Sequence, residues 1–227
     1  MQAKLYRLFS DEQALAIREQ LKGMEWKQGQ ARTKELTGTI KQNLEVKPED
    51  GEEAKALSLW ITRSLMHHPG IASETVPMQS TAFKFNNYKD AGTYNRHTDA
   101  PFMGPVRTDF AATVFLSDPD TYEGGELHIE QLDGEIVVKG RAGEVFVYEC
   151  GNPHWVTPVT EGERISAIGW IQSRFPDKFQ RDTLRACRKI TQEMEKVMDP
   201  SDPNDKAREW FVDLGHIHSA LFRKWST

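Results

Sequence analysis

Four side chains in the middle of this sequence have the chemistry of a mononuclear metal site with an attached anion site. His97 and Asp99 lie two residues apart, His154 follows much later, and Arg164 comes ten residues after it. Residues i and i+2 of a strand point to the same side, so His97 and Asp99 can share one metal ion. Two histidines and one carboxylate on one face of an octahedron are typical of non-haem Fe(II) centres that activate oxygen. A guanidinium is a permanent, forked cation, so Arg164 is a candidate for binding the far carboxylate of a co-substrate.

Each of these residues has a simpler interpretation when it is taken alone. An isolated His-x-Asp pair is more often a hydrogen-bonded surface pair than a metal site. A strand arginine commonly pairs with a nearby glutamate, and Glu161 and Glu163 are available. The complete set is harder to obtain by chance, because the His-x-Asp pair ends one predicted strand, His154 opens another and Arg164 lies in the next.

The segment between His154 and Arg164 predicts where the arginine points. Residues 160–162 fit a three-residue hairpin loop with Gly162 in the left-handed position. That register places Arg164 opposite Pro158 and on the face of His154, about 13 Å away at ~3.3 Å per residue. An arginine side chain and a five-carbon dicarboxylic acid laid end to end would cover this distance. The same alternation predicts three further interior residues: Ser166, Ile168 and Trp170.

Short strands separated by turns dominate the middle of the chain. Eight strands are predicted, at 79–88, 94–99, 109–117, 126–130, 135–139, 144–148, 154–159 and 164–172. Asp-Pro, Gly-Gly, Asp-Gly and Gly-Asn-Pro sequences interrupt them. This pattern favours a jelly roll or a related β-barrel.

Helical patterns precede this β region. Ser10 and Gln13 form a predicted capping box for a first helix that ends at Gly23. A second helix is predicted over about 52–67, closed by Pro69-Gly70. Residues 29–43 are rich in Gly, Thr, Gln and Lys, which predicts an irregular exposed loop.

The chain therefore divides into three predicted regions and belongs to a mainly β class with flanking helices (α+β). Residues 1–77 are expected to support the barrel with helices and strands, residues 78–174 to form it, and residues 175–227 to make a C-terminal helical lobe. The two amphipathic helices of that lobe leave two arrangements open. They pack either on the barrel or against a second subunit, as in a homodimer.

Composition weighs against several other classes of function. The 227 residues include 29 basic and 34 acidic side chains, a net charge of -5, which gives no electrostatic footprint for nucleic acid or a membrane surface. No apolar run approaches the ~20 residues of a membrane span, and no secretory signal is apparent. Cys150 and Cys187 have no paired spacing, so a disulfide framework is not expected and a reducing cytoplasm is the simplest compartment.

Five segments carry a more specific resemblance. They resemble the PKHD-type (prolyl/lysyl-hydroxylase-type) Fe(II)/2-oxoglutarate dioxygenases, in particular the bacterial iron-uptake-factor type, at residues 94–99, 107–119, 122–127, 154–159 and 164–173. The resemblance implies a double-stranded β-helix in which His97, Asp99 and His154 hold iron and Arg164 holds 2-oxoglutarate. It also implies L-ascorbate as a supporting reductant. The implied reaction couples decarboxylation of 2-oxoglutarate to succinate with hydroxylation of a C–H bond.

Two other functions remain open for the same residues. A non-catalytic sensor would bind metal and 2-oxoglutarate but release no succinate. A zinc hydrolase also uses two histidines and a carboxylate, but it leaves Arg164 without a role and the sequence offers no convincing general base. The substrate stays open among peptidyl proline or lysine, a free amino acid and a siderophore-like molecule.

Overall fold

The computed structural model describes residues 3–29, 40–199, 201–202 and 205–226. In these residues the helices are α1 (Asp11–Lys22), α2 (Glu52–His67), α3 (Pro69–Thr75), α4 (Lys178–Val197) and α5 (Lys206–Trp225). The strands are β1 (Lys4–Arg7), β2 (Lys27–Gln28), β3 (Lys41–Gln42), β4 (Leu44–Val46), β5 (Pro77–Ser80), β6 (Lys84–Tyr88), β7 (Gly92–His97), β8 (Phe102–Met103), β9 (Val106–Arg107), β10 (Phe110–Phe115), β11 (Tyr122–Gly124), β12 (Leu127–Gln131), β13 (Gly134–Val138), β14 (Glu144–Glu149), β15 (His154–Gly162) and β16 (Arg164–Ser173).

Two antiparallel sheets pack face to face. The larger has the order β1-β14-β10-β16-β6-β4-β2, with β5 beside β16, and the smaller has the order β13-β12-β15-β7-β3, with β11 beside β15. Strands that follow one another in sequence often lie in different sheets, as a jelly roll requires. The predicted class, mainly β with flanking helices, is confirmed. The N-terminal segment contributes strands to both sheets.

The central strands of the larger sheet are buried on both faces. Phe110 and Val114 of β10 point to a core shared with α1 and α2, whereas Ala111 and Phe115 point into the space between the sheets. A strand covered on both sides has no need of polar residues at alternate positions. This explains why β10 reads as the continuous run FAATVF.

The first two predicted helices are confirmed. Ser10 and Gln13 form the capping box of α1, and α2 spans the predicted residues. Pro69, however, does more than end α2: it occupies the first turn of α3, where a proline has no hydrogen bond to lose. The prediction of a loop over 29–43 is wrong at its end, because Lys41 is a buried strand residue. Residues 30–39 lie outside the described residues.

Two strand predictions need correction. The predicted strand 79–88 is two strands, β5 and β6, separated by residues 81–83. The first pairs with the end of β16 and the second with its beginning. Strand β7 ends at His97, so Asp99 lies just beyond the ladder rather than in it.

The prediction of a hairpin between β15 and β16 is wrong, although the prediction that Arg164 points inward is right. The two strands belong to different sheets, and Arg164 is opposite Tyr88 of β6 instead of Pro158. A bulge in β15 turns Pro158 outward and Val159 inward. Gly162 does have a positive φ, +73°, but it serves a crossing between sheets.

The crossing at Gly162 gives a stability prediction. A Cβ added there would lie 2.3 Å from the carbonyl oxygen of Thr121, in addition to the strain of the positive φ. Gly162→Ala is therefore expected to lower the free energy of unfolding by about 2 kcal/mol or more, measured by urea denaturation. Gly215→Ala is the matched control, because Gly215 lies inside α5 with open space around its Cα, and it should raise stability by about 0.5–1 kcal/mol. Equal effects of the two substitutions would contradict this account.

Aromatic and charged contacts join the C-terminal helices to the rest of the chain, and Phe222 and Arg185 give two examples. The ring of Phe222 in α5 meets Phe175 edge-on at 5.0 Å, and Arg185 of α4 pairs with Glu74 of α3 at 3.1 Å. Apolar side chains stay exposed on the same helices, including Phe179, Ile190 and Trp210. None of the helices in the described parts of the chain has both the length and the apolar character to cross a membrane.

Candidate metal centre

His97, Asp99 and His154 converge on one point beside the paired strands β7 and β15. One ligand atom from each residue lies within 4.8 Å of the others. The convergence follows from the fold, because β7 and β15 are antiparallel neighbours and His97 is directly opposite His154. The rings lie 4.3 Å apart between centroids. The three candidate ligands selected from the sequence are thus brought together.

A bulge in β7 aims these side chains. Four residues of β7, Tyr94 to His97, span the same length as three residues of β15, His154 to Val156. The extra residue lets Tyr94 and His97 share a side, which a regular strand would forbid at this spacing. The Tyr94 ring stacks on the His97 ring at 3.6 Å and fixes its plane. The sequence offers no signal for this irregularity.

Backbone carbonyls orient both imidazoles. Nδ1 of His97 lies 2.8 Å from the carbonyl oxygen of Asn95, and Nδ1 of His154 lies 3.0 Å from that of Asn152. A carbonyl only accepts, so each Nδ1 carries the proton and donates it. Each Nε2 is left with its lone pair, which is the arrangement of a metal-binding histidine.

Burial keeps His97 neutral. Desolvation, reinforced by the neighbouring His154, lowers the pKa of His97 to about 4. At neutral pH Nε2 of the ring therefore has no proton to release before it binds a cation. Nε2 of His154 is 3.8 Å from Oδ2 of Asp99, a gap that a shared ion would fill. The donor set fits a divalent transition metal.

Asp99 is held by an indole that the sequence did not identify as a partner. Nε1 of Trp170 donates to Oδ2 of Asp99 at 2.9 Å. Sequence parity placed Trp170 in the cavity, which is confirmed, but gave no reason to pair it with Asp99. The contact joins the larger sheet to the residue just past β7 and so limits rotation of the carboxylate.

Arg164 is buried without a counter-ion among the residues that the structure describes. Its exposed fraction is 2%, its Nη1 donates to Ser166 at 3.0 Å, and its guanidinium lies 5.3 Å from the Tyr88 ring centroid. Its Nε has no hydrogen-bond partner, and no carboxylate of the described residues lies within ion-pair distance. The simpler interpretation, a surface pair with a neighbouring glutamate, is wrong: Glu163 pairs with Lys89 instead.

One cavity of about 410 Å³ contains both the three candidate ligands and Arg164. This volume lies within the range of small-molecule sites. Gly125 allows Arg164 to occupy its place, because a Cβ there would lie 2.9 Å from the arginine Cδ. A buried, unpaired cation is costly unless an anion joins it. The cavity can therefore accept a metal ion at one position and an anionic group at another.

Comparisons with known proteins identify the family of the chain. The model of the 2OG-Fe(II) oxygenase superfamily matches residues 83–172. A PKHD-type hydroxylase of Teredinibacter turnerae is 36% identical over 96% of both chains. A PKHD-type hydroxylase of Acidovorax ebreus is 34% identical over 92% of both chains.

Solved structures share the fold. A Pseudomonas putida prolyl-4-hydroxylase superposes with a TM-score of 0.54 at 21% identity, covering 76% of this chain and 92% of its own. A Trichoplax adhaerens prolyl hydroxylase, in complex with a hypoxia inducible factor peptide fragment, gives 0.57 at 15% identity, covering 75% and 83%. The double-stranded β-helix implied by the sequence resemblance is confirmed by these matches.

Proposed function

This chain belongs to the PKHD-type hydroxylases of the 2OG-Fe(II) oxygenase superfamily, and on that basis we propose that it couples decarboxylation of 2-oxoglutarate to succinate with hydroxylation of a C–H bond. It is an oxidoreductase by its family. In the proposal His97, Asp99 and His154 bind Fe(II), and Arg164 binds the far carboxylate of 2-oxoglutarate. Fe(II) held by these three side chains would supply the oxygen-activating chemistry, while Arg164 would bind and orient the co-substrate.

The observation that carries this proposal is the uncompensated guanidinium of Arg164 in the cavity of the three ligands. A structural arginine would be expected to have its carboxylate partner within the protein. Here no carboxylate partner is present among the described residues, and Arg164 lines the cavity with its Nε unpaired. A dicarboxylate that meets the metal at one end and this guanidinium at the other satisfies both sites.

The protein residues have distinct roles in this scheme. Two backbone carbonyls hold the histidines in the tautomer that presents Nε2. Trp170 holds Asp99, and Tyr94 covers one face of His97. The buried walls exclude water from the reacting groups, which strengthens every charge interaction inside. When bound, Fe(II) and 2-oxoglutarate supply the oxygen-activating chemistry that these side chains lack.

Succinate release separates this function from the alternative of a sensor on the same fold. Purified protein with Fe(II), 2-oxoglutarate and air is expected to form succinate, slowly alone and faster with the right substrate. A sensor would bind both ligands and form none. Absence of succinate across peptidyl proline, peptidyl lysine, free amino acids and siderophores would favour the sensor.

The proposal has further parts beyond the metal chemistry. They are ascorbate as supporting reductant, a cytoplasmic location and no role for nucleic acid, the last supported by the net charge of -5. We also propose a homodimer through α4 and α5. Exposed apolar side chains on both helices support it, among them Phe179 and Trp210.

Trp170 is proposed as a positioning residue for Asp99. Trp170→Phe keeps an aromatic ring at this position but removes the N–H that donates to Asp99. The affinity for Fe(II) is therefore expected to fall about ten- to hundredfold. Anaerobic Fe(II) titration measures this. Trp155→Phe is the control, since Trp155 stacks on His128 on the other face of β15. Equal Fe(II) affinities for the two variants would show that Trp170 does not position Asp99 for metal binding.

A further inference from the structure

Two lysines and one glutamate form a buried cluster at the edge of the same cavity. The Nζ of Lys41 contacts Oε1 of Glu45, and the Nζ of Lys84 lies 3.1 Å from the same oxygen. The Lys41 and Glu45 side chains are 3% and 5% exposed. Lys41 is in β3 of the smaller sheet, whereas Glu45 and Lys84 are in the larger sheet. The cluster therefore bridges the two sheets where the chain crosses between them.

The cluster has one positive charge in excess. Two ammonium groups share a single carboxylate, and no second carboxylate of the described residues is within ion-pair distance of either lysine. Burial and the nearby Lys84 ammonium lower the pKa of Lys41 to about 8. Leaving a buried charge uncompensated is unfavourable, so the second lysine has no evident structural reason to be there.

The excess charge faces the cavity. The Lys84 side chain is 24% exposed, and all three cluster residues line the cavity that contains the candidate metal ligands. Among the described residues, the wall carries four cationic side chains and three carboxylates: Lys41, Lys47, Lys84, Arg164, Glu45, Glu49 and Asp99. A ferrous ion and the 2-oxoglutarate dianion cancel each other. One positive charge then remains for a further ligand.

Each lysine stands one aromatic ring away from a candidate metal ligand. The Nζ of Lys41 is 5.1 Å from the centroid of Tyr94, whose ring stacks on His97. The Nζ of Lys84 is 5.9 Å from the centroid of Trp170, which donates to Asp99. An anion held by these lysines would keep its charged end off the metal. The carbon chain attached to it could reach back across the rings.

We propose that Lys41 and Lys84 form a binding site for an anionic group of the primary substrate, which is thus a small molecule or side chain with a carboxylate or a phosphate. The inference rests on the proposed function for the identity of the cavity. Glu45 keeps the two ammonium groups together in the absence of substrate. The aliphatic part of the substrate lies against Tyr94 and Trp170 and presents its C–H bond to the metal side.

The test uses an acid and its neutral isostere. Hexanoate and hexanamide are titrated calorimetrically into the anaerobic complex of the protein with Fe(II) and 2-oxoglutarate, in which Arg164 is already occupied. Wild type is expected to bind hexanoate at least about tenfold more tightly than hexanamide. Hexyl phosphate is the third probe. A preference for it over hexanoate supports the site and identifies phosphate as the anion.

Lys84→Met is the decisive variant. It leaves a matched Lys41–Glu45 pair, so the fold should be kept, and it should bring the ratio of hexanoate to hexanamide affinity to about one while 2-oxoglutarate affinity stays unchanged. Lys84→Arg should retain the preference for the acid. Lys89→Met is the control, because Lys89 pairs with Glu163 at 3.4 Å, outside the cavity.

Two outcomes would overturn the proposal: equal affinities for acid and amide in wild type, or a preference for the acid that survives Lys84→Met. Failure of the proposed function would look different. In that case wild type would form no complex with Fe(II) and 2-oxoglutarate. Hexanoate and hexanamide titrated into metal-free wild type and Lys84→Met would then test the lysine site by itself.

Discussion

A His154→Ala variant is expected to lose Fe(II) binding and, with it, succinate formation. His154 supplies one of three converging ligand atoms, and the two left, from His97 and Asp99, cannot define a face of an octahedron. Loss of the metal removes several kcal/mol of catalytic stabilisation, which is about a thousandfold or more in rate. Anaerobic Fe(II) titration and a succinate assay measure the two effects.

His128→Ala is the matched control for this substitution. His128 lies on the neighbouring strand β12, pairs with Glu135 and stacks on Trp155, away from the three ligands. It should bind Fe(II) and form succinate like wild type. If His154→Ala binds Fe(II) as well as His128→Ala does, then the metal is held elsewhere and the ligand assignment is wrong.

Arg164→Met should weaken 2-oxoglutarate binding while leaving the metal in place. The substitution removes a charge-assisted partner worth about 1.5–3 kcal/mol, so the Kd should rise at least ten- to hundredfold. Fe(II) affinity should not change, because Arg164 is none of the three converging residues. Titration of 2-oxoglutarate into the anaerobic Fe(II) protein gives the Kd.

The stability of Arg164→Met provides an internal control. An uncompensated buried cation contributes little to the fold, and methionine fills a similar space beside Tyr88 and Phe115. The metal-free variant should therefore melt within a few degrees of wild type. At the same 2-oxoglutarate concentration wild type should gain more stability than the variant, as expected when a ligand binds the folded state. A large fall in melting temperature without ligand would instead make Arg164 a structural residue.

Residue types and spacing were sufficient to select the four central side chains. His97, Asp99 and His154 could be chosen because few side chains bind iron and the three fall at predicted strand ends. Arg164 could be placed inside from strand parity alone. The predicted inward direction of Arg164 is right, but the predicted hairpin is wrong, because β15 and β16 belong to different sheets.

The supporting contacts could not be predicted because they depend on long-range packing. The bulge that puts Tyr94 and His97 on one side depends on the pairing of β7 with β15, which lies far away in the sequence. Trp170 meets Asp99 across 71 positions of sequence. Lys41 lies in a predicted exposed loop, yet its side chain is buried, because its strand β3 pairs with the distant β7 and its ammonium lies over the Tyr94 ring. Local pattern carries no information on any of these pairings.

The most direct test of the four-residue site is an anaerobic titration of Fe(II) and then 2-oxoglutarate, followed by the visible charge-transfer band of the complex. Wild type should develop the band at one equivalent of each. His154→Ala should develop none at any 2-oxoglutarate concentration, and Arg164→Met should develop the same band only at ten- to hundredfold higher 2-oxoglutarate, on the order of the loss of one charged partner. A band that forms in both variants as in wild type would contradict the account.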